Sequence, residues 1–174
     1  WQPIANSTTR LNYSNLTTTT LYRALVNAPG VSCANSYSLE GKVTVNPLPV
    51  VSNQVVSICG GSGTFTVDPL GVPTGTTYSW AAPVKSSASI TGGAAGNNQS
   101  IISQNLSISG SSAGTVTYTV TPTYSGCPGP SFQIVVNIVP AITASASNPT
   151  PIFTGTAFSV RPSSSLTGMQ YTWT

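Results

Sequence analysis

Phe65-Thr-Val-Asp-Pro69 returns later in the chain as Phe158-Ser-Val-Arg-Pro162, and Thr74-Gly-Thr-Thr-Tyr-Ser-Trp80 returns as Thr167-Gly-Met-Gln-Tyr-Thr-Trp173. Both pairs are displaced by 93 positions (158 − 65 and 173 − 80), and two separate matches at one offset define a repeat. A second set, Tyr22, Cys33 and Val43-Thr-Val-Asn46, is answered by Tyr118, Cys127 and Ile134-Val-Val-Asn137, each block running into a proline, Pro49 or Pro140. Here the offset drifts from 96 to 91 (118 − 22 and 134 − 43), so loop lengths vary while the segments between them persist. A period this long exceeds the roughly 20–50 residues of solenoid repeats and suits independent domains in tandem. The expected organisation is the back half of one domain over 1–49, all of a second over 50–140 and the front half of a third over 141–174.

Within the complete domain, seven short segments carry β-branched and aromatic residues in alternation, separated by Gly and Pro. They are about Gln54–Ile58, Gly63–Val67, Thr76–Ala81, Ser87–Thr91, Gln99–Ile108, Gly114–Thr121 and Phe132–Val139. No helical period occurs, and evenly spaced short strands predict an all-β, immunoglobulin-like sandwich. Period-two parity selects the core: Phe65, Tyr78, Trp80, Tyr118 and Ile134 fall on the inward face of their strands. In the third, partial domain Trp173 takes the place of Trp80, and the shared parity predicts packing roles for both.

Charge narrows the function. Only 4% of the 174 residues are charged, 5 basic and 2 acidic, so solubility rests on Ser, Thr, Asn and Gly, as suits an extracellular β protein. The cations Arg10, Arg23, Lys42, Lys85 and Arg161 never cluster, which leaves no basic stripe for nucleic acid. No apolar run reaches the ~18 residues of a membrane-spanning helix, so no membrane insertion is expected in this segment. The lack of a signal-peptide pattern at the start leads to the expectation of an internal stretch of a longer chain. General acid–base work needs paired carboxylates or a tuned histidine. Histidine is absent, and the only acids, Glu40 and Asp68, fall in different predicted domains. The reading is therefore a non-enzyme with no catalytic residue, no cofactor and no metal site.

Cys59, Trp80 and Cys127 follow the order of the tryptophan-covered disulfide of immunoglobulin domains, although both cysteines fall at strand ends. A structural Cys59–Cys127 disulfide is expected, with free thiols as the alternative. Three cysteines without histidine or a Cys-x-x-Cys pair make no zinc site. Cys33 stands in the place of Cys127 one repeat earlier, so its partner is expected upstream of residue 1. Phe153 replaces Cys59 one repeat later, and that domain is expected to lack the bond.

The motifs Ile58-Cys-Gly-Gly61, Ile90-Thr-Gly-Gly93, Thr115-Val-Thr-Tyr-Thr-Val-Thr-Pro122 and Gly126-Cys-Pro-Gly129, taken with the Tyr-Ser-Trp80 segment, resemble the PKD-like domain repeated in giant surface proteins of Bacteroidota. Leu16-Thr-Thr-Thr-Thr-Leu-Tyr-Arg23 and Val43-Thr-Val-Asn-Pro-Leu-Pro49 resemble the tail of the Ig-like domains found beside it. Between them the likenesses cover essentially the whole chain. The resemblance implies export by the type IX secretion system, an outer-membrane-attached surface filament and a role in attachment and gliding motility. The implied partners are an extracellular surface or polysaccharide and neighbouring repeats of the same long chain, with self-association left open. A carbohydrate-binding accessory module of a secreted multidomain protein is the alternative, for which the loop tyrosines Tyr13, Tyr37 and Tyr124 are the candidate contacts.

Overall fold

The computed structural model describes residues 1–4, 8–27, 29–30, 32, 34–145 and 148–174. Cys33, and with it the expectation about its partner, lies outside them. The chain divides into two compact units, Trp1–Pro47 and Leu48–Thr174, and among the described residues every regular element is a strand.

The first unit holds two small antiparallel sheets. β1 (Thr20–Tyr22) pairs with β4 (Gly41–Val43), and β2 (Leu25–Val26) pairs with β3 (Ser36–Tyr37). Such two-stranded ribbons bury little, and Leu21, Leu25, Val26 and Leu39 are all exposed. The β1–β4 pairing sets Tyr22 opposite Gly41 and Thr20 opposite Val43.

The second unit carries a sandwich of β5 (Gln54–Ile58), β6 (Ser62–Val67), β7 (Thr77–Trp80), β8 (Val84–Lys85), β9 (Ile90–Gly92), β10 (Gly96–Gln99), β11 (Ile102–Ile108), β12 (Gly114–Tyr124), β13 (Cys127–Pro128) and β14 (Phe132–Ile138). One sheet runs β10-β7-β12-β14-β5, with β8 and β13 also paired to β12; the other runs β6-β11-β9. A final pair, β15 (Ala144–Ser145) and β16 (Ser163–Ser164), follows. Alternation explains the burial. Val116, Tyr118 and Val120 of β12 and Phe132, Ile134, Val136 and Ile138 of β14 turn inward onto Phe65, Val67, Ile102 and Leu106 of the opposing sheet, forming one hydrophobic core. The register sets Tyr118 opposite Ile134, and Val120 opposite both Phe132 and Trp80.

Two expected strands are redrawn. Gln99–Ile108 does not run as one strand. β10 pairs with β7 in the first sheet, β11 pairs with β6 in the second, and the chain crosses between sheets at Ser100–Ile101. Its cause is visible beside the crossing, where the β10–β7 register shifts and Asn98 takes φ +51°. Ser79 Oγ replaces ladder bonds there, accepting from Asn98 N and donating to Asn97 Oδ1, each at 3.0 Å. Ser87–Thr91 is largely turn, with only Ile90–Gly92 extended.

β5 and β14 are parallel, with Gln54 opposite Ile134 and Ile58 opposite Ile138. The first and last strands of the sandwich therefore point the same way. The chain comes in beside Pro49 at one pole and leaves past Pro140 at the other. Pro49 is fully buried and packs so closely on Gly129 that no side chain fits there. At the far pole Gly61 N donates to Val139 O at 2.9 Å.

Candidate functional site

The five core positions singled out in the sequence occupy one packed layer. Phe65, Tyr78, Trp80, Tyr118 and Ile134 are each no more than 5% exposed. Phe65 and Tyr118 meet at 5.3 Å between ring centroids, tilted by 56°, while Tyr78 meets Phe132 edge-on at 6.4 Å. Both geometries suit the ring quadrupoles. Trp80 lies under β10, where the backbone of Gly96 rests on the indole and a β-carbon would strike the ring. Its Nε1 donates to Ala94 O at 2.8 Å, and Ala94 N in turn donates to Gln104 Oε1 at 2.9 Å. Ala94, Gly96 and Gln104 escaped the sequence reading. The glycines after Ile90 were the available signal, and they entered the sequence reading only within the Ile90-Thr-Gly-Gly93 motif.

Burial alone pushes the Tyr118 phenol up to about 12, and its hydroxyl makes no hydrogen bond within the protein. The Tyr78 phenol is also raised, by burial first and then by the negative charge of Asp68. A neutral, desolvated tyrosine fills space and offers no acid–base function at ordinary pH.

The Cys59–Cys127 disulfide expected from the sequence is not formed: both thiols are free and exposed. The registers give the reason. Cys59 follows Ile58, which is level with Ile138 and so with Gly114 of β12, whereas Cys127 is paired with Tyr124 at the other end of β12. Those levels are ten residues apart on one strand (124 − 114), or about 33 Å at ~3.3 Å per residue, against a Cα separation of about 7 Å that a disulfide can span. The sequence order suggested a shared end. The parallel β5–β14 pairing puts the two residues at opposite poles, Cys127 with Pro49 and Cys59 with Pro140.

Glu40 and Asp68 fall in separate units, and among the described residues no group of three or more His, Cys, Asp or Glu could hold a metal ion. Two open clefts lie on the second unit. One, of about 650 Å³, is lined by Gly60, Ser62, Ile108, Ala141 and Ser165 at the Pro140 pole; the other, of about 630 Å³, by Ser79, Trp80, Asn97, Thr119 and Thr121. Neither lining contains a titratable side chain.

The outward faces are hydroxyl lattices. Thr115, Thr117, Thr119, Thr121 and Thr123 alternate with the buried residues of β12, and cross-strand hydroxyl pairs join Thr66 to Ser103 at 3.0 Å and Thr91 to Ser107 at 2.7 Å. Tyr13 and Tyr37 are exposed and Tyr124 is half-buried. The Arg23 guanidinium stacks 4.0 Å from the Tyr37 ring centroid and 4.2 Å from that of Trp1. Trp173, expected to be packed like Trp80, is 67% exposed, because among the described residues no strand covers it as β10 and β12 cover Trp80.

An all-β sandwich with an aromatic core and hydroxyl-rich outer faces defines a module of the immunoglobulin-like class. Residues 57–142 match the family model of the PKD-like domain, which agrees with the sandwich built there. No curated protein matches the chain.

Proposed function

We propose that this chain is a structural and adhesive repeat segment of an extended cell-surface filament, acting by reach and contact and not by catalysis. The observation that carries the reading is the parallel pairing of β5 with β14, which sends the chain in at one pole of the sandwich and out at the other. Modules with opposed ends add length when strung together, whereas modules with adjacent ends fold back. Buried Pro49 and Pro140 mark the two poles, and proline fixes φ and removes a donor there, which limits bending. The scarcity of charge and the hydroxyl lattices favour contact with neutral hydrated surfaces over ionic partners.

In this reading the filament is exported by the type IX route, held at the outer membrane and used for attachment and gliding, with the partial domains at 1–49 and 141–174 belonging to neighbouring modules of the array. The PKD-like match over 57–142 supports a repeat module. Deleting the parent protein tests the function: surface attachment and spreading should fall while secreted enzyme activities stay unchanged. Unimpaired attachment, together with tight binding of the purified chain to a defined polysaccharide, would replace the stalk with a carbohydrate-binding accessory module.

A further inference from the structure

The sandwich displays its two cysteines like complementary connectors. Cys127 sits on the β12–β13 hairpin at the Pro49 pole, and Cys59 sits at the β5–β6 turn at the Pro140 pole; both are exposed and free. At about 33 Å apart along β12 they cannot meet within one domain. Placed head to tail, however, the Pro140 pole of one sandwich meets the Pro49 pole of the next, which brings the end that carries Cys59 to the end that carries the Cys127 position. The repeat carries this pattern on, since Cys33 occupies the Cys127 position one domain earlier.

We infer that Cys59 and Cys127 are junction thiols: Cys59 of one sandwich bonds the cysteine in the Cys127 position of the sandwich that follows it, locking the filament end to end. The oxidant is a small-molecule disulfide. The Cys127 thiolate attacks it, forming a mixed disulfide and releasing one small thiol. The Cys59 thiolate of the preceding sandwich then attacks the Cys127 sulfur, forming the Sγ–Sγ bond and releasing the second. Two protein thiols are oxidised, one small disulfide is reduced, and the two protons leave on the released thiols. Phe153 stands in the Cys59 position of the following repeat, so the junction beyond that repeat goes unbridged.

Such a bond presupposes the head-to-tail order proposed above, yet it fails separately, since a filament can be extended without it. The test uses two copies of the 174-residue chain carrying Cys33→Ser, incubated with oxidised glutathione and resolved on non-reducing gels. Reductant-sensitive ladders are expected, and peptide mass spectrometry should find Cys59–Cys127 bonds in roughly tenfold excess over like-with-like pairs, the ratio given by about 1.4 kcal/mol of end-to-end preference. Adding Cys59→Ser or Cys127→Ser should each abolish the ladder, and mixing the two should restore a single dimer band. Mapping bonds in the unsubstituted chain serves if Cys33→Ser does not fold. Pairing at the statistical ratio, a Cys59–Cys127 bond within one chain, or no bond at all would overturn the inference.

Discussion

Tyr118 shows how a single atom can stand outside an otherwise satisfied core. Its ring is wholly buried, but its hydroxyl finds no partner in the protein. A buried hydroxyl without a hydrogen bond costs about 1–3 kcal/mol, so Tyr118→Phe should leave stability unchanged or raise it, as urea unfolding would report. A clear loss would mean that the hydroxyl is bonded after all. The same burial sets an alkaline limit. With the folded phenol pushed up to about 12 against an ordinary value near 10, its contribution is fully present below pH 10. It is lost as pH rises through the interval to 12, because the unfolded chain releases the proton first. Tyr118→Phe should flatten that loss, leaving a smaller one from Tyr78, whose pKa is shifted the same way. Trp80→Ala, a large-to-small change at a buried position, should cost about 3–5 kcal/mol. Gly96→Ala should cost about 1–3 kcal/mol by overpacking the indole, and a near-neutral result would show that β10 can yield.

β5 is an edge strand held on one side only, and its position decides where the sandwich begins. Beside its start, Asn53 Oδ1 accepts from Gln133 N at 2.8 Å, linking the approach to β5 with β14. Asn53→Ala should therefore cost about 1 kcal/mol and speed hydrogen exchange at β5 more than at β12, which is paired on both sides. Equal acceleration in both strands would indicate that the clip is global. Strand identity was largely legible in the sequence, because inward residues such as Val116, Tyr118 and Val120 must alternate with threonines on any half-buried strand. The crossing at Ser100–Ile101 was not. It depends on a register shift beside Ser79, a side chain remote in sequence, so the periodicity of Gln99–Ile108 could suggest only one continuous strand.

At the scale of the whole molecule, stability should be concentrated where apolar surface is covered. Leu39 is 96% exposed and Phe153 87%, whereas Ile102, Leu106 and Val136 are fully buried. Hydrogen exchange should accordingly show slow amides in β6, β11, β12 and β14 and fast ones in β1–β4, β15 and β16. Uniform protection would contradict a single core. The evenly spaced short strands and the inward parity determined, from the sequence alone, that the chain folds as an all-β sandwich and which aromatic residues fill it. Those are local properties, since alternation and turn chemistry act over a few residues. What only the tertiary structure decided is which end of the module each residue occupies. The order Cys59, Trp80, Cys127 is the same whether the cysteines meet or oppose each other, and the outcome turns on whether β5 lies parallel or antiparallel to β14. That choice is made by packing Pro49 against Gly129 and aligning Ile58 with Ile138, contacts between residues about 80 apart in sequence that no local pattern encodes.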